Sequence, residues 1–322
     1  MLDKIKLAGR RPKSNPRISA KFLTVYPPPY FRDMNRIEFL ERSLISAGTL
    51  APIGQIDAAI TDKIDERLHL NILGFNHLPN PGSKITANTV LHKAETRGHT
   101  NLDWLSSRHS FSFANYSNPE RMHFGVLHAL NDDIVSAGKG FDTHPHDNME
   151  IITIPLEGDL EHKESTGNTT TIRNGDVHAM SAGTGIYHSE YNKNSDKLVK
   201  FLQIWVLPNK HDVTPHYSQI TLNPSDRHNK LQQILSPSRA DAGVWIHQNA
   251  WFHLGSLDKD FSTEYKIKGG PGNGVFVFVI SGNVSIGDQK LNARDGYGIW
   301  KVEKFNLKAD SKAEVLLMEV RM

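Results

Sequence analysis

Two pairs of side chains carry the strongest chemical signal in this 322-residue chain: His144-Pro145-His146 and His188-Ser189-Glu190. In a β-strand successive side chains point to opposite faces, so residues two apart project together. Each pair can therefore present two donor groups to one point. Pro145 has no N–H to give a ladder, which places the first pair at a strand start or on a sheet edge. Small residues, Ser181-Ala182-Gly183-Thr184-Gly185, precede the second pair and permit a tight turn or close backbone approach. Three neutral imidazoles and one carboxylate leave positions open on an octahedral first-row ion, a composition that suits iron, manganese, cobalt, nickel or zinc. Open positions imply binding of substrate or dioxygen rather than a closed structural site. The chain has no cysteine, which excludes disulfides, thiolate ligands and a cysteine nucleophile. Any metal site must then rest on imidazole and carboxylate, and 17 histidines are available.

Short strands must position these pairs. From about residue 88 the sequence breaks into β-rich runs separated by turns. Residues 151–156 and 201–207 read as apolar strands, and Gly158-Asp159, Gly167-Asn168 and Asn174-Gly175-Asp176 as turns. The rhythm returns with an apolar run over 275–280, then Ser281-Gly282-Asn283, Gly287-Asp288 and Asp295-Gly296. Such a diverged repeat predicts two antiparallel β-barrels in tandem. Antiparallel hairpins between His146 and His188 can bring the two pairs together. The second half has no His-x-His or His-x-Glu after Gly255.

Upstream the texture differs. Residues 1–31 carry basic side chains among prolines and read as a basic tail. Residues 32–47 and 55–72 show helical spacing, as in Ile56, Ile60, Ile64 and Leu68, and predict a short helical hairpin. Asn80-Pro81-Gly82-Ser83 reads as a linker. Residues 1–86 hold 13 basic and 8 acidic side chains, whereas the rest hold 24 and 27. The body is thus not basic, which argues against a broad nucleic-acid surface there. No apolar run reaches the roughly 18 residues of a membrane span. The expected division is an extension over 1–86, a metal-binding barrel over 87–212 and a metal-free barrel over 213–322. The absence of cysteine fits a reducing compartment, and the cytoplasm is the expected location.

Several other residues invite attention. His178 and His128 are expected to be satisfied or exposed histidines. Asp132-Asp133 is read as an acidic turn. His247, Trp251 and His253 alternate in a strand pattern that could form a surface patch.

The two metal segments also carry a resemblance. Gly138 to Glu150 matches the cupin pattern of glycine, five residues, His-x-His, three residues and Glu. His188 and Asn192 resemble the end of the other cupin motif. Four residues separate Gly183 from His188 where the general pattern has two, and Glu190 follows the histidine by two places. Both departures resemble pirin proteins. The segments Leu91–Gly98, Ser110–Phe113, Asn131-Asp132-Asp133 and Gly158–His162 also resemble bacterial pirins. The resemblance covers about 88–322. It implies a mainly β bicupin whose single divalent ion, iron(II) first with manganese, cobalt, nickel, zinc or copper as alternatives, is held by His144, His146, His188 and Glu190. It makes Glu150 a non-ligand and the second cupin metal-free, with Glu264 and Lys266 near where its first pair would fall. The activity it implies is that of a flavonol (quercetin) dioxygenase of the 2,4 type, releasing carbon monoxide, with dioxygen and a small aromatic enol as partners. Glu190 would relay the substrate's hydroxyl proton. The alternative it implies is a metal-binding regulatory module read by a protein partner.

Overall fold

The computed structural model describes residues 87–322. The expected basic tail, helical hairpin and linker lie outside the described residues. The described chain is built of 22 strands in four sheets. One seven-stranded sheet runs, in spatial order, β12 (His216–Thr221), β9 (Asp176–Ser181), β6 (Glu150–Glu157), β11 (Val199–Val206), β4 (Leu127–Val135), β3 (Leu105–His109) and β2 (Gly98–Asn101). A four-stranded sheet of β5 (Gly140–His146), β10 (Ile186–Asn192), β7 (Asp159–Glu164) and β8 (Thr169–Arg173) closes the first barrel. The second barrel repeats this plan. Its larger sheet orders β1 (Asn88–His92), β20 (Gly296–Trp300), β17 (Asn273–Ser281), β22 (Ala313–Arg321), β15 (Trp251–Leu257), β13 (Leu231–Ser236) and β14 (Val244–Trp245). Its smaller sheet orders β16 (Ser262–Lys266), β21 (Lys304–Ala309), β18 (Val284–Ile286) and β19 (Gln289–Leu291). The protein is therefore mainly β with two tandem cupin barrels, as the repeat predicted. Among the described residues no helix is long and apolar enough to cross a membrane.

The two larger sheets pack back to back. Ile152, Ile154, Leu202 and Ile204 from the first barrel meet Phe252, Phe276, Phe278 and Leu316 from the second in one buried cluster. This explains the continuous apolar runs in the sequence: β6, β11, β17 and β22 are covered on both faces and need no polar alternation. Burying each such side chain contributes about 1.5–3 kcal/mol. Phe276 sits in the middle, its ring 5.1 Å from Phe111 and 5.5 Å from Phe124.

The barrels also exchange edge strands. β1 precedes the first barrel in sequence yet pairs antiparallel with β20 of the second, from Asn88↔Trp300 to His92↔Gly296. β12, which follows residue 212, pairs antiparallel with β9 of the first, from His216↔Ser181 to Thr221↔Asp176. A cut at 212/213 would part β12 from the sheet it completes. Lys93 Nζ donates to Asp295 Oδ2 at 2.8 Å and helps lock the β1 exchange.

Two local expectations change. Asp132-Asp133 is not an acidic turn but lies inside β4. Asp132 meets Arg97 Nη1 at 3.1 Å and Arg294 Nε at 3.4 Å, while Asp133 is buried, where desolvation pushes its carboxyl up to about 7. Distant arginines supply the neutralising charge that a local reading cannot see. His247, Trp251 and His253 form no surface patch: His253 is buried against Tyr265, Trp251 is half-buried and His247 precedes the strand.

Candidate metal centre

β5 is the edge strand of its sheet, consistent with Pro145, and it carries His144 and His146 near its end. Its neighbour β10 sets His188 opposite His144 and Ile186 opposite His146. The turn into β10 requires Gly183, whose φ is +49° and where a Cβ would collide with the Val213 carbonyl. The three imidazole rings gather with centroids 4.4–4.9 Å apart, and their ligand nitrogens lie within 4.8 Å of one another. His144 and His146 are half-buried, so this trio is open on one side, whereas His188 is 1% exposed.

Glu190 stands slightly apart from this trio. The β10–β5 register shifts between His188 and Glu190, a bulge that re-aims the side chains beyond it. On its other side β10 keeps continuous register with β7, which places Glu190 opposite His162 and His188 opposite Glu164. A second trio results: His162, His188 and Glu190, again with ligand atoms within 4.8 Å. Thus the four expected ligands fall into two trios joined at His188, and neither trio sets Glu190 with His144 or His146. His162 was missed as a chemical group. Its signal was the same i, i+2 spacing, His162 with Glu164 on β7.

The hydrogen bonds prepare these groups to bind a cation. His144 Nδ1 donates to the Asp142 carbonyl at 2.7 Å, which leaves Nε2 with its lone pair free. Glu190 Oε2 accepts from Gln203 Nε2 at 2.7 Å, and Gln203 Oε1 accepts from Thr153 Oγ1 at 2.8 Å. Glu190 Oε1 and both nitrogens of His188 are buried with no hydrogen-bond partner. Burial lowers His146 to about 3 and His162 to about 4, and holds His188 and His178 well below the usual imidazole range. Burial also lowers His144, opposed by its bond to the Asp142 carbonyl. Glu190 is raised to about 7 by burial, against the Gln203 bond. Neutral imidazoles are the form a metal requires, and a cation would restore the carboxylate. Orphaned donors on a neutral three-imidazole, one-carboxylate set fit a divalent ion.

The remaining candidates separate by face. Glu150 shares the β6 face of Ile152 and Ile154, toward the other barrel, and accepts from Ser181 Oγ at 2.5 Å. It does not point toward the imidazoles. His128 is half-buried on the same side of its sheet as Leu130 and lies in neither trio. His178 is neither satisfied nor exposed: it is fully buried, 4.7 Å from His162, with Nε2 unpartnered. In the second barrel the inward positions of β21 and β18 hold Phe305, Leu307, Val284 and Ile286, where β10 and β7 hold His188, Glu190, Leu160 and His162. Glu264 and Lys266 are exposed, with Glu264 paired to Lys304 at 2.8 Å.

Comparison with known proteins agrees with this architecture. The family model Pirin matches residues 90–206, and the model described as Quercetinase C-terminal cupin domain matches residues 233–320. The chain is 42% identical over 230 residues to "Quercetin 2,3-dioxygenase" of Escherichia coli strain K12, covering 71% of this chain and 97% of that protein. The crystal structure of the bacterial pirin YhhW from Escherichia coli in complex with nickel(II) superposes with a TM-score of 0.69 at 40% identity, over 73% of this chain and 99% of that one. A quercetin 2,3-dioxygenase structure from Acinetobacter baumannii, 20% identical with a TM-score of 0.58 over 72% of this chain and 85% of that one, shares the fold. With its bicupin architecture and a relative matched over nearly its whole length, the chain belongs to the pirin family.

Proposed function

We propose that this protein is a metal-dependent dioxygenase that opens the ring of a flavonol, quercetin first, or a related aromatic enol by 2,4-type cleavage. One divalent ion would be held by His144, His146, His188 and Glu190 in the barrel over 87–212, with 213–322 metal-free. The observation that carries this reading is the set of neutral imidazoles, open on the side of His144 and His146, beside a carboxylate with one orphaned oxygen. When bound, the ion supplies Lewis-acid charge that favours the deprotonated enol.

The protein side chains divide the remaining work. Glu190 Oε1 accepts the substrate's hydroxyl proton, while Gln203 holds Oε2 and fixes the carboxylate. Trp205 forms an aromatic lip, its ring 4.9 Å from His146 and 5.0 Å from Phe113, against which a planar ligand can stack. The relatives named quercetin 2,3-dioxygenase support the substrate class. The lack of cysteine supports a cytoplasmic location.

The test is oxygen uptake and carbon monoxide release with quercetin, using protein loaded with iron(II), manganese, nickel or no metal. Metal-dependent release is expected. Fully loaded protein that turns over no flavonol or related enol in air would refute the proposal.

A further inference from the structure

A cavity lies between the barrels at the end of the first one farthest from the metal centre. β6 begins at Glu150, shortly after His146, and reaches Leu156 roughly 20 Å farther on. There a space of about 80 Å³ opens between the two larger sheets. Its apolar walls are Ile154 and Leu156 of β6, Leu222 just after β12, Leu254 of β15 and Ile280 near the end of β17. That volume has room for roughly five to eight groups the size of a water molecule, and an apolar space holds hydrocarbon better than water.

The mouth of the cavity is charged. Arg227 and Glu314 border both the cavity and the open cleft outside it. Arg227 follows the short turn Pro224–Asp226 in the connection between the barrels, and Glu314 stands on β22. Arg227 Nη1 is buried with no hydrogen-bond partner, a costly state for a cation's donor. Among the described residues neither Arg227 nor Glu314 forms an ion pair, whereas the neighbouring His228 is paired with Asp258 at 3.4 Å. The remaining charge on the wall, Asp176, is already answered: it accepts from the Arg173 N–H, Gln219 Nε2 and Thr221 Oγ1.

We propose that this cleft binds a free α-amino acid with an aliphatic side chain of the size of leucine. Its carboxylate pairs with the Arg227 guanidinium, whose fork matches two carboxylate oxygens. Its ammonium meets Glu314, and its side chain enters the apolar cavity. A zwitterion brings one charge of each sign, as the mouth does. A simple anion would meet Arg227 but also face Glu314 and Asp176, and a simple cation would leave Arg227 unanswered. The walls come from both barrels, so the bound ligand ties them together and stabilises the folded chain.

The test is calorimetric titration and thermal unfolding of the full-length protein with L-leucine, which need neither metal nor turnover. Leucine should bind at about one equivalent per chain and raise the melting temperature. Leucinamide lacks the carboxylate charge, 4-methylpentanoate lacks the ammonium, and glycine lacks the side chain; each should lose about tenfold or more in affinity. Arg227→Gln and Glu314→Gln should each weaken leucine by a similar factor. The analogue series is read on the unmodified protein, so it stands whatever a variant does to folding. No saturable binding of leucine up to about 10 mM, or analogues that bind as tightly as leucine, overturns the proposal and leaves the metal centre untouched.

Discussion

Gln203→Leu isolates the contribution of a residue that touches neither the ion nor the substrate in the proposed mechanism. Gln203 lies on β11 between two buried groups. It donates to Glu190 Oε2 at 2.7 Å and accepts from Thr153 Oγ1 at 2.8 Å. The bond to the carboxylate is charge-assisted and contributes about 1.5–3 kcal/mol. Thr153 loses less, because its hydroxyl can turn toward His178 Nδ1, 3.4 Å away. Leucine returns about 1–2 kcal/mol through burial of its methyl groups. The net loss of stability for metal-free protein above pH 7 is thus about 1–2 kcal/mol, readable in a urea titration. The effect on the site should be larger than that figure suggests. With Oε2 undirected, the carboxylate no longer faces the imidazoles in one orientation, and metal affinity should fall about 10–100-fold. Turnover of quercetin at saturating metal should fall as well. A Gln203→Leu protein that holds its ion as tightly as wild type and turns over at the same rate would refute this account of how Glu190 is aimed.

Glu190→Gln should reduce quercetin turnover more than metal content, whereas His144→Ala should reduce both together; activity assays paired with elemental analysis separate the two. Elemental analysis of intact protein should give about one equivalent of metal per chain, and His188→Ala should lose most of it, because His188 belongs to both trios. Burial lowers His92 to about 4, so it is neutral when folded and protonated when unfolded below 6.5. The stability it supports is full above pH 6.5 and is lost as pH falls toward 4, by up to about 3 kcal/mol, and His92→Leu should flatten the acid limb of a stability–pH curve. A chain ending at Asp212 lacks β12 and exposes the back-to-back face, so it should be insoluble or misfolded, while a chain spanning 87–322 should fold and bind metal, as monitored by circular dichroism and elemental analysis.

The clustering of His144 and His146 was legible because period-two alternation is a local property, and His188 joins them through the β10–β5 pairing. The placement of Glu190 was not, since the bulge after His188 arises from pairing with a distant strand. His162 escaped notice for a related reason. Its partner across the ladder is Glu190, and nothing near Gly158–His162 in sequence announces that pairing. The tandem barrels were readable from the repeated runs and turns, but the crossing of β1 and β12 was not. Their partners, β20 and β9, lie far along the chain, and strand propensity does not specify a partner. The apolar lining of the second barrel agrees with the absence of His-x-His and His-x-Glu after Gly255, a pattern the sequence displays directly.

The crossing of β1 onto β20 also sets a timetable for synthesis. Among the described strands β1 is the first to leave the ribosome, and its partner β20 is among the last. About 200 residues separate them, so at about 5–20 residues per second β1 waits roughly 10–40 s with its hydrogen-bonding edge unpaired. During that interval another nascent copy can offer a complete second barrel, and β1 can join that one instead. Pairs of chains linked by exchanged β1 strands would then form at high expression, and slower dilution-driven refolding would favour the self-closed molecule.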